Sequence, residues 1–170
     1  MSTLIIKFTN VSPTRHRFEL VREDSSREEA DLETKTFLFH DLLHFAVESE
    51  AFLAESFYGK LLHGDSYAKL SEGAVESATL AEGKEIMMTE RVVGVMTGVI
   101  EADASPEVAM HALLNLLSAS GEKIPVWFTE DFVVRVKERM RRLLGEWKGT
   151  PFGETMTLEF SLTPTTPSVR

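Results

Sequence analysis

Residues 155–162 read TMTLEFSL. Met156, Leu158, Phe160 and Leu162 alternate strictly with Thr157, Glu159 and Ser161. Successive side chains of a strand point to opposite faces, so this pattern predicts a strand with one face buried and one face wet. Such a strand rules out an all-helical chain. It also needs a partner, and the matching pattern lies at the other end of the sequence. Thr3–Thr9 (TLIIKFT) is rich in β-branched and aromatic residues, and Asn10–Pro13 reads as a turn. Arg15–Arg22 (RHRFELVR) then alternates, with Phe18 and Leu20 on one face and Arg17, Glu19 and Val21 on the other. These two segments predict a hairpin to which the C-terminal strand adds.

Between the strands the period changes to that of a helix. Residues 23–32 (EDSSREEADL) read as a solvated connection with at most a helical turn. A first long helix is expected from Thr34–Thr36 to about Tyr58. Gly59, Gly64 and Gly73 then mark mixed loop and short helix. Thr79-Leu-Ala-Glu82 has the form of a capping box opening a second helix. Ile86, Thr89, Val92, Val93, Met96, Val99 and Ile100 recur along it at helical spacing. Gly94 and Gly98 fall within that pattern and suggest a close helix crossing. Ser105-Pro106-Glu107 opens a third helix ending at Gly121, with His111 at the start of its apolar face. An apolar connector, Ile124–Phe128, leads to a fourth helix that begins at Thr129 and is expected to stop at Gly145. Trp127 and Trp147 flank it as core anchors. The reading is α+β: a small antiparallel sheet, made of the N-terminal hairpin plus the C-terminal strand, packed on a bundle of about four helices. A single domain over 1–170 is expected, with 163–170 as a loose tail.

The first long helix carries the candidate chemistry. Residues 39–50, FHDLLHFAVESE, set His40, Asp41, His44, Glu48 and Glu50 in an oily run. At about 100° per residue, His40, His44, Glu48, Asp41 and Glu55 fall within one arc roughly 100° wide. Apolar residues cover most of the remaining circumference, which is the pattern of a largely buried helix. Glu50 falls on the apolar side and needs its own partner or an opening to solvent. Two histidines one turn apart converge on a single cation, and a carboxylate one turn further on joins or orients them. The candidate ligands are His40, His44 and Glu48, with Asp41 and Glu55 behind them. Further donors are available from His63, His111 or Glu90. With nitrogen and oxygen donors only, zinc, iron(II), manganese and nickel all fit. The competing reading is a solvent stripe with a helical His44–Glu48 pair and no metal. The stretch is not HExxH, so the general base of the zinc peptidases is missing.

Composition narrows the function classes. The 170 residues include no cysteine, which excludes disulfides, thiolate metal sites, iron–sulfur clusters and a cysteine nucleophile. Net charge is −9, from 27 acidic and 18 basic side chains, and a surface of that sign repels nucleic acid. No apolar run approaches the roughly 20 residues that span a bilayer, and the N-terminus does not read as a signal peptide. The expected setting is the cytoplasm, and the expected partners are a small ligand or a protein. Lys137, Arg139, Arg141 and Arg142 make the end of the fourth helix basic, as the helix dipole favours. His63-Gly-Asp-Ser-Tyr67 lacks the spacing of any nucleophile elbow and reads as a loop. The reaction least at odds with these residues, if there is one, is metal-assisted hydrolysis. The alternative is a non-enzymatic interaction or structural module that uses the sheet face or the basic patch.

KTFLFHDLLHFAVESE, with FYGKLLHG after it, resembles a family of small uncharacterised bacterial proteins that carry an FLFHDLLH-AVE signature before a helical region. That likeness extends over most of the chain and implies no particular activity. The HDLLH core is also similar to the histidine–aspartate–two–histidine motif of a coenzyme Q biosynthesis family that binds zinc. That resemblance covers five residues and implies zinc binding at this motif. The family's glutamate, about a dozen residues after the second histidine, is replaced here by Ser56, with Glu55 one position short.

Overall fold

The computed structural model describes residues 2–71 and 83–163. Four strands form one antiparallel sheet: β1 (Thr3–Asn10), β2 (Arg15–Arg22), β3 (Arg27–Glu33) and β4 (Thr155–Ser161), in the order β3-β2-β1-β4. The C-terminal strand lies beside β1, as its alternation required, and the register stacks the apolar positions. Ile6 pairs with Leu20 on one side and Leu158 on the other, and Phe8 pairs with Phe18 and Met156. These residues, with Leu4 and Phe160, are buried and make the sheet's inner face. His16 shares that face and is fully buried. The positions 16, 18 and 20 already carried this information, since they share one parity of the strand.

One sequence expectation gives way here. Residues 23–32 are not a solvated connection, because Arg27–Glu33 forms β3. Its sequence, REEADLE, is too charged to suggest a strand. It lies at the sheet edge, where charge is tolerated and discourages pairing with another chain.

The helices cover the inner face: α1 (Thr34–Ala51), α2 (Phe57–Leu62), α3 (Tyr67–Ser71), α4 (Gly83–Glu101), α5 (Pro106–Ser118) and α6 (Glu130–Lys148). Among the described residues, no helix is long and apolar enough to cross a membrane. Helix α1 is central. It packs against α4 and α6 and touches α2, β3 and β4. Leu38, Leu42, Leu43, Phe45, Ala46 and Val47 are all buried, as its nearly continuous apolar girdle predicts.

Four boundaries and faces differ from the sequence reading. Helix α1 ends at Ala51, not near Tyr58, because Phe52 turns into the left-handed region (φ 53°) with its N–H on the Glu48 carbonyl. Glu55 therefore leaves the helical arc and is exposed. Helix α6 runs through Gly145 to Lys148, which lets Trp147 pack edge-on to His16, with ring centroids 6.0 Å apart. Gly94 and Gly98 face open space instead of a close crossing. His111 is exposed, and Ala109, Leu113 and Leu117 form the buried stripe of α5. The expected capping box at 79–82 and nearly all of the expected tail lie outside the described residues. The caps at Ser105 and Thr129 form as read, each accepting a backbone N–H from three residues on.

Candidate metal centre

Helix α1 supplies two imidazoles one turn apart. His44 is buried, with its side chain 3 % exposed, and His40 one turn earlier is 49 % exposed. The carboxylate that meets both comes from α4. Glu90 Oε1 lies 3.0 Å from His44 Nε2, and Glu90 Oε2 lies 3.7 Å from His40 Nε2. The three donors lie within 4.8 Å of one another. First-row ions bind such donors at about 2.0–2.2 Å, which places neighbouring ligand atoms roughly 3.4 Å apart in a tetrahedron. Each imidazole faces a different oxygen of Glu90 at a separation close to that value. His44 Nε2 meets Glu90 at ion-pair distance, although the pair makes no aligned hydrogen bond and the nitrogen is buried.

Both imidazoles are backed by carboxylates on their other nitrogen. His44 Nδ1 hydrogen-bonds Glu48 Oε2 at 3.0 Å, and His40 Nδ1 lies 3.7 Å from Asp41 Oδ1. The first is a hydrogen bond and the second is an ion-pair distance. Carboxylates in this position fix the ring tautomer and leave Nε2 directed at the shared centre.

Glu48 itself is fully buried. Its second oxygen accepts the backbone N–H of Tyr58 at 2.8 Å and, more weakly, that of Gly59 at 3.5 Å. It thus caps α2 from another helix. The residue at the usual capping position, Ser56, makes no cap and instead hydrogen-bonds Thr89. Three N–H groups converge on Glu48, an arrangement suited to a carboxylate rather than a carboxylic acid.

Charge follows from these contacts. Burial pulls the His44 imidazole down, but Glu48 and Glu90 outweigh it and raise its pKa to about 9. Asp41 and Glu90 likewise raise His40 to about 9 against partial burial. The two histidines hold Glu90 far below the ordinary carboxylate range. Burial pushes Glu48 up, against the pull of His44 and the two amides.

The sequence-predicted residues therefore separate. His40 and His44 face one centre. Glu90, one of three reserve donors in the sequence reading, completes the set. Glu48 lies behind His44, and Asp41 lies beside His40, as a supporting carboxylate should. Glu55 lies beyond the end of α1 and is exposed, with its backbone N–H bound to Glu85. His63 ends α2 and His111 lies exposed on α5. Glu90 could not be chosen from sequence because its partnership is a helix crossing, not a spacing. Comparison with protein-family models, curated proteins and solved structures finds no match.

Other polar clusters tie elements of the fold together. Glu50 finds its partners on α6, with Arg135 Nη1 at 2.6 Å and Arg139 Nε at 2.8 Å. The four basic residues read on α6 each lie near an acid: Lys137 near Asp103, Arg139 near Glu50, and Arg141 and Arg142 near Glu138. The 63–67 loop is tied to the sheet by Arg22, which donates to Asp65 O, and by Glu28, which accepts from Ser66 and Tyr67.

Proposed function

We propose that this protein binds a divalent transition metal through His40, His44 and Glu90. The observation that carries the reading is the buried His44 ring. One nitrogen is fixed by Glu48, and the other is left without a hydrogen bond beside Glu90 and His40. That nitrogen meets Glu90 only as an unaligned ion pair, and a cation between the two would engage both donors with ligand geometry. Two imidazoles and one carboxylate suit zinc, iron(II) or manganese. The cysteine-free, acidic composition supports a cytoplasmic setting, and the charge of −9 argues against nucleic acid as a partner.

The test is elemental analysis of tag-free protein, followed by calorimetric titration of chelated protein with zinc, manganese and iron(II). About one equivalent per chain is expected, lost in His44→Ala and in Glu90→Ala while circular dichroism retains the fold. A folded wild-type protein that takes up none of these ions would overturn the proposal. The cluster would then serve as an imidazolium–carboxylate network joining α1 to α4.

A further inference from the structure

The three donors are unevenly covered. The His44 side chain is 3 % exposed, with the Phe57 ring 5.9 Å away, whereas His40 and Glu90 are 49 % and 54 % exposed. An ion held by these atoms is closed on the α1–α2 side and open on the other. Among the described residues, no fourth donor joins the group. Asp41 stands behind His40, and Glu48 is committed to His44 and α2. Three protein ligands do not complete the sphere of a first-row ion, which takes four to six.

Charge decides what can fill the remaining positions. Asp41, Glu48 and Glu90 together outweigh the charge of a divalent ion, and the whole chain is acidic. A multiply charged oxyanion would meet net repulsion there. A neutral group that offers two oxygens would meet none and a singly charged one less, and either can span adjacent open positions.

Resting on the metal reading above and going beyond it, we infer that the ion at His40, His44 and Glu90 is an open centre. It holds a neutral or singly charged oxygen-donor chelate, of the hydroxamate or hydroxycarboxylate class, in preference to phosphate. The protein's part is to fix the ion through three donors on one side and to set the charge that selects the ligand. Asp41 is a positioning and selectivity residue: it approaches His40, not the open side.

Cobalt(II) makes the inference measurable, because its visible bands report coordination number and ligand exchange. The chelated full-length protein is loaded with cobalt(II), and bound metal is counted by elemental analysis. The loaded protein is then titrated separately with acetohydroxamate and with inorganic phosphate. A saturable band shift with acetohydroxamate is expected, with phosphate weaker by on the order of tenfold, the scale of one unscreened like-charge contact. Asp41→Asn should narrow that gap, with cobalt still bound. If cobalt binds at one equivalent but acetohydroxamate leaves the spectrum unchanged, the sphere is closed. The open-centre inference then fails and the metal reading stands. If phosphate binds as tightly as acetohydroxamate, the charge selection fails. If cobalt does not bind to folded protein, the metal reading falls and takes this inference with it.

Discussion

Helix α1 carries two glutamates, Glu48 and Glu50, on different faces, and the fold uses them differently. Glu48 is fully buried and faces a titratable histidine and the N-terminus of α2. Glu50 is 13 % exposed and faces Arg135 and Arg139, which are themselves 44 % and 32 % exposed. The Glu50 cluster pairs permanent charges near water and joins α1 to α6. The Glu48 cluster buries a carboxylate behind an imidazole whose far nitrogen faces Glu90 and His40. A cluster whose polar capacity is already satisfied reads as structure. One that leaves a buried nitrogen aimed at two further donors reads as a site.

Removing each glutamate should expose this difference, and the largest effect is expected at Glu48. Glu48→Ala leaves His44 and the Tyr58 and Gly59 amides without their acceptor, and breaking a buried charged pair costs about 3–5 kcal/mol. Urea denaturation measures it, and a loss under about 1 kcal/mol would show that water replaces the carboxylate readily. The isosteric Glu48→Gln separates fold from site. Its carbonyl can still cap α2, but its amide must donate to His44 Nδ1, which moves the ring proton to Nε2. Stability should largely survive, while metal affinity drops about 10- to 100-fold, as is usual when such supporting groups are changed. Unchanged affinity by calorimetry would mean that the His44 tautomer does not matter.

The next contrast is pH. In metal-free protein, His40 and His44 titrate at about 9 in the fold, against 6.5 when unfolded. A raised folded pKa stabilises fully below 6.5, and that contribution disappears as pH rises through about 9. Glu90 is depressed, so its share is present above its unfolded value of 4.5 and is lost as pH falls below it. Stability from the site should therefore peak between these limits and decline from neutral pH to 9. The denaturation midpoint, compared with that of His40→Gln/His44→Gln, reports it: the double variant should lack the alkaline decline. Parallel profiles would remove the histidines from the account. Metal must displace the same protons, so its affinity should rise across this range.

These contrasts also show what the sequence could reveal. The strand at 155–161 was legible from its strict alternation, that at 15–22 from its alternating centre, and that at 3–10 from its β-branched and aromatic residues; each buries one face. The helical middle was legible from its period and from the caps at Ser105 and Thr129. Strand β3 was not, since its inward face pairs Ala30 and Leu32 with Glu28 and is only half-buried, too weak a pattern to stand out among the charges. The end of α1 was hidden as well. No glycine marks it, and the turn is held by contacts distant in sequence, namely Glu48 on the α2 amides and Ser56 on Thr89. The site was half legible for the same reason. His40 and His44 share a face by local arithmetic, whereas Glu90 arrives by packing. Exchanging Glu48 for Glu90 as the third donor was a decision only the crossing of α1 and α4 could make.

Glu50 gives a smaller effect. Glu50→Ala should cost about 1 kcal/mol, the upper end for a partly exposed ion pair, and should leave metal affinity unchanged. A guanidinium–carboxylate pair carries no group of the imidazole type, so its effect should also be constant from pH 6.5 to about 9, the window in which His44 titrates. A metal defect in Glu50→Ala would mean that the two clusters are coupled through α1 and are not independent faces.

The smallest effect is expected where the chain passes from one cluster to the other. Phe52 occupies the left-handed region at φ 53°, 46 % exposed, with no side-chain hydrogen bond to explain the choice. That conformation costs an L-residue roughly 1–2 kcal/mol. Phe52→Gly removes the strain but gives the unfolded chain extra freedom, worth roughly 0.5–1 kcal/mol. The balance favours the variant by a few tenths of a kcal/mol, read as a slightly higher denaturant midpoint with an unchanged slope. The sign matters more than the size. A stabilised variant means the turn is imposed from outside, by the Glu48 carboxylate drawing the α2 amides beneath α1. A variant destabilised by 1 kcal/mol or more means that the Phe52 ring itself holds the turn, and that Glu48 caps a helix already in place.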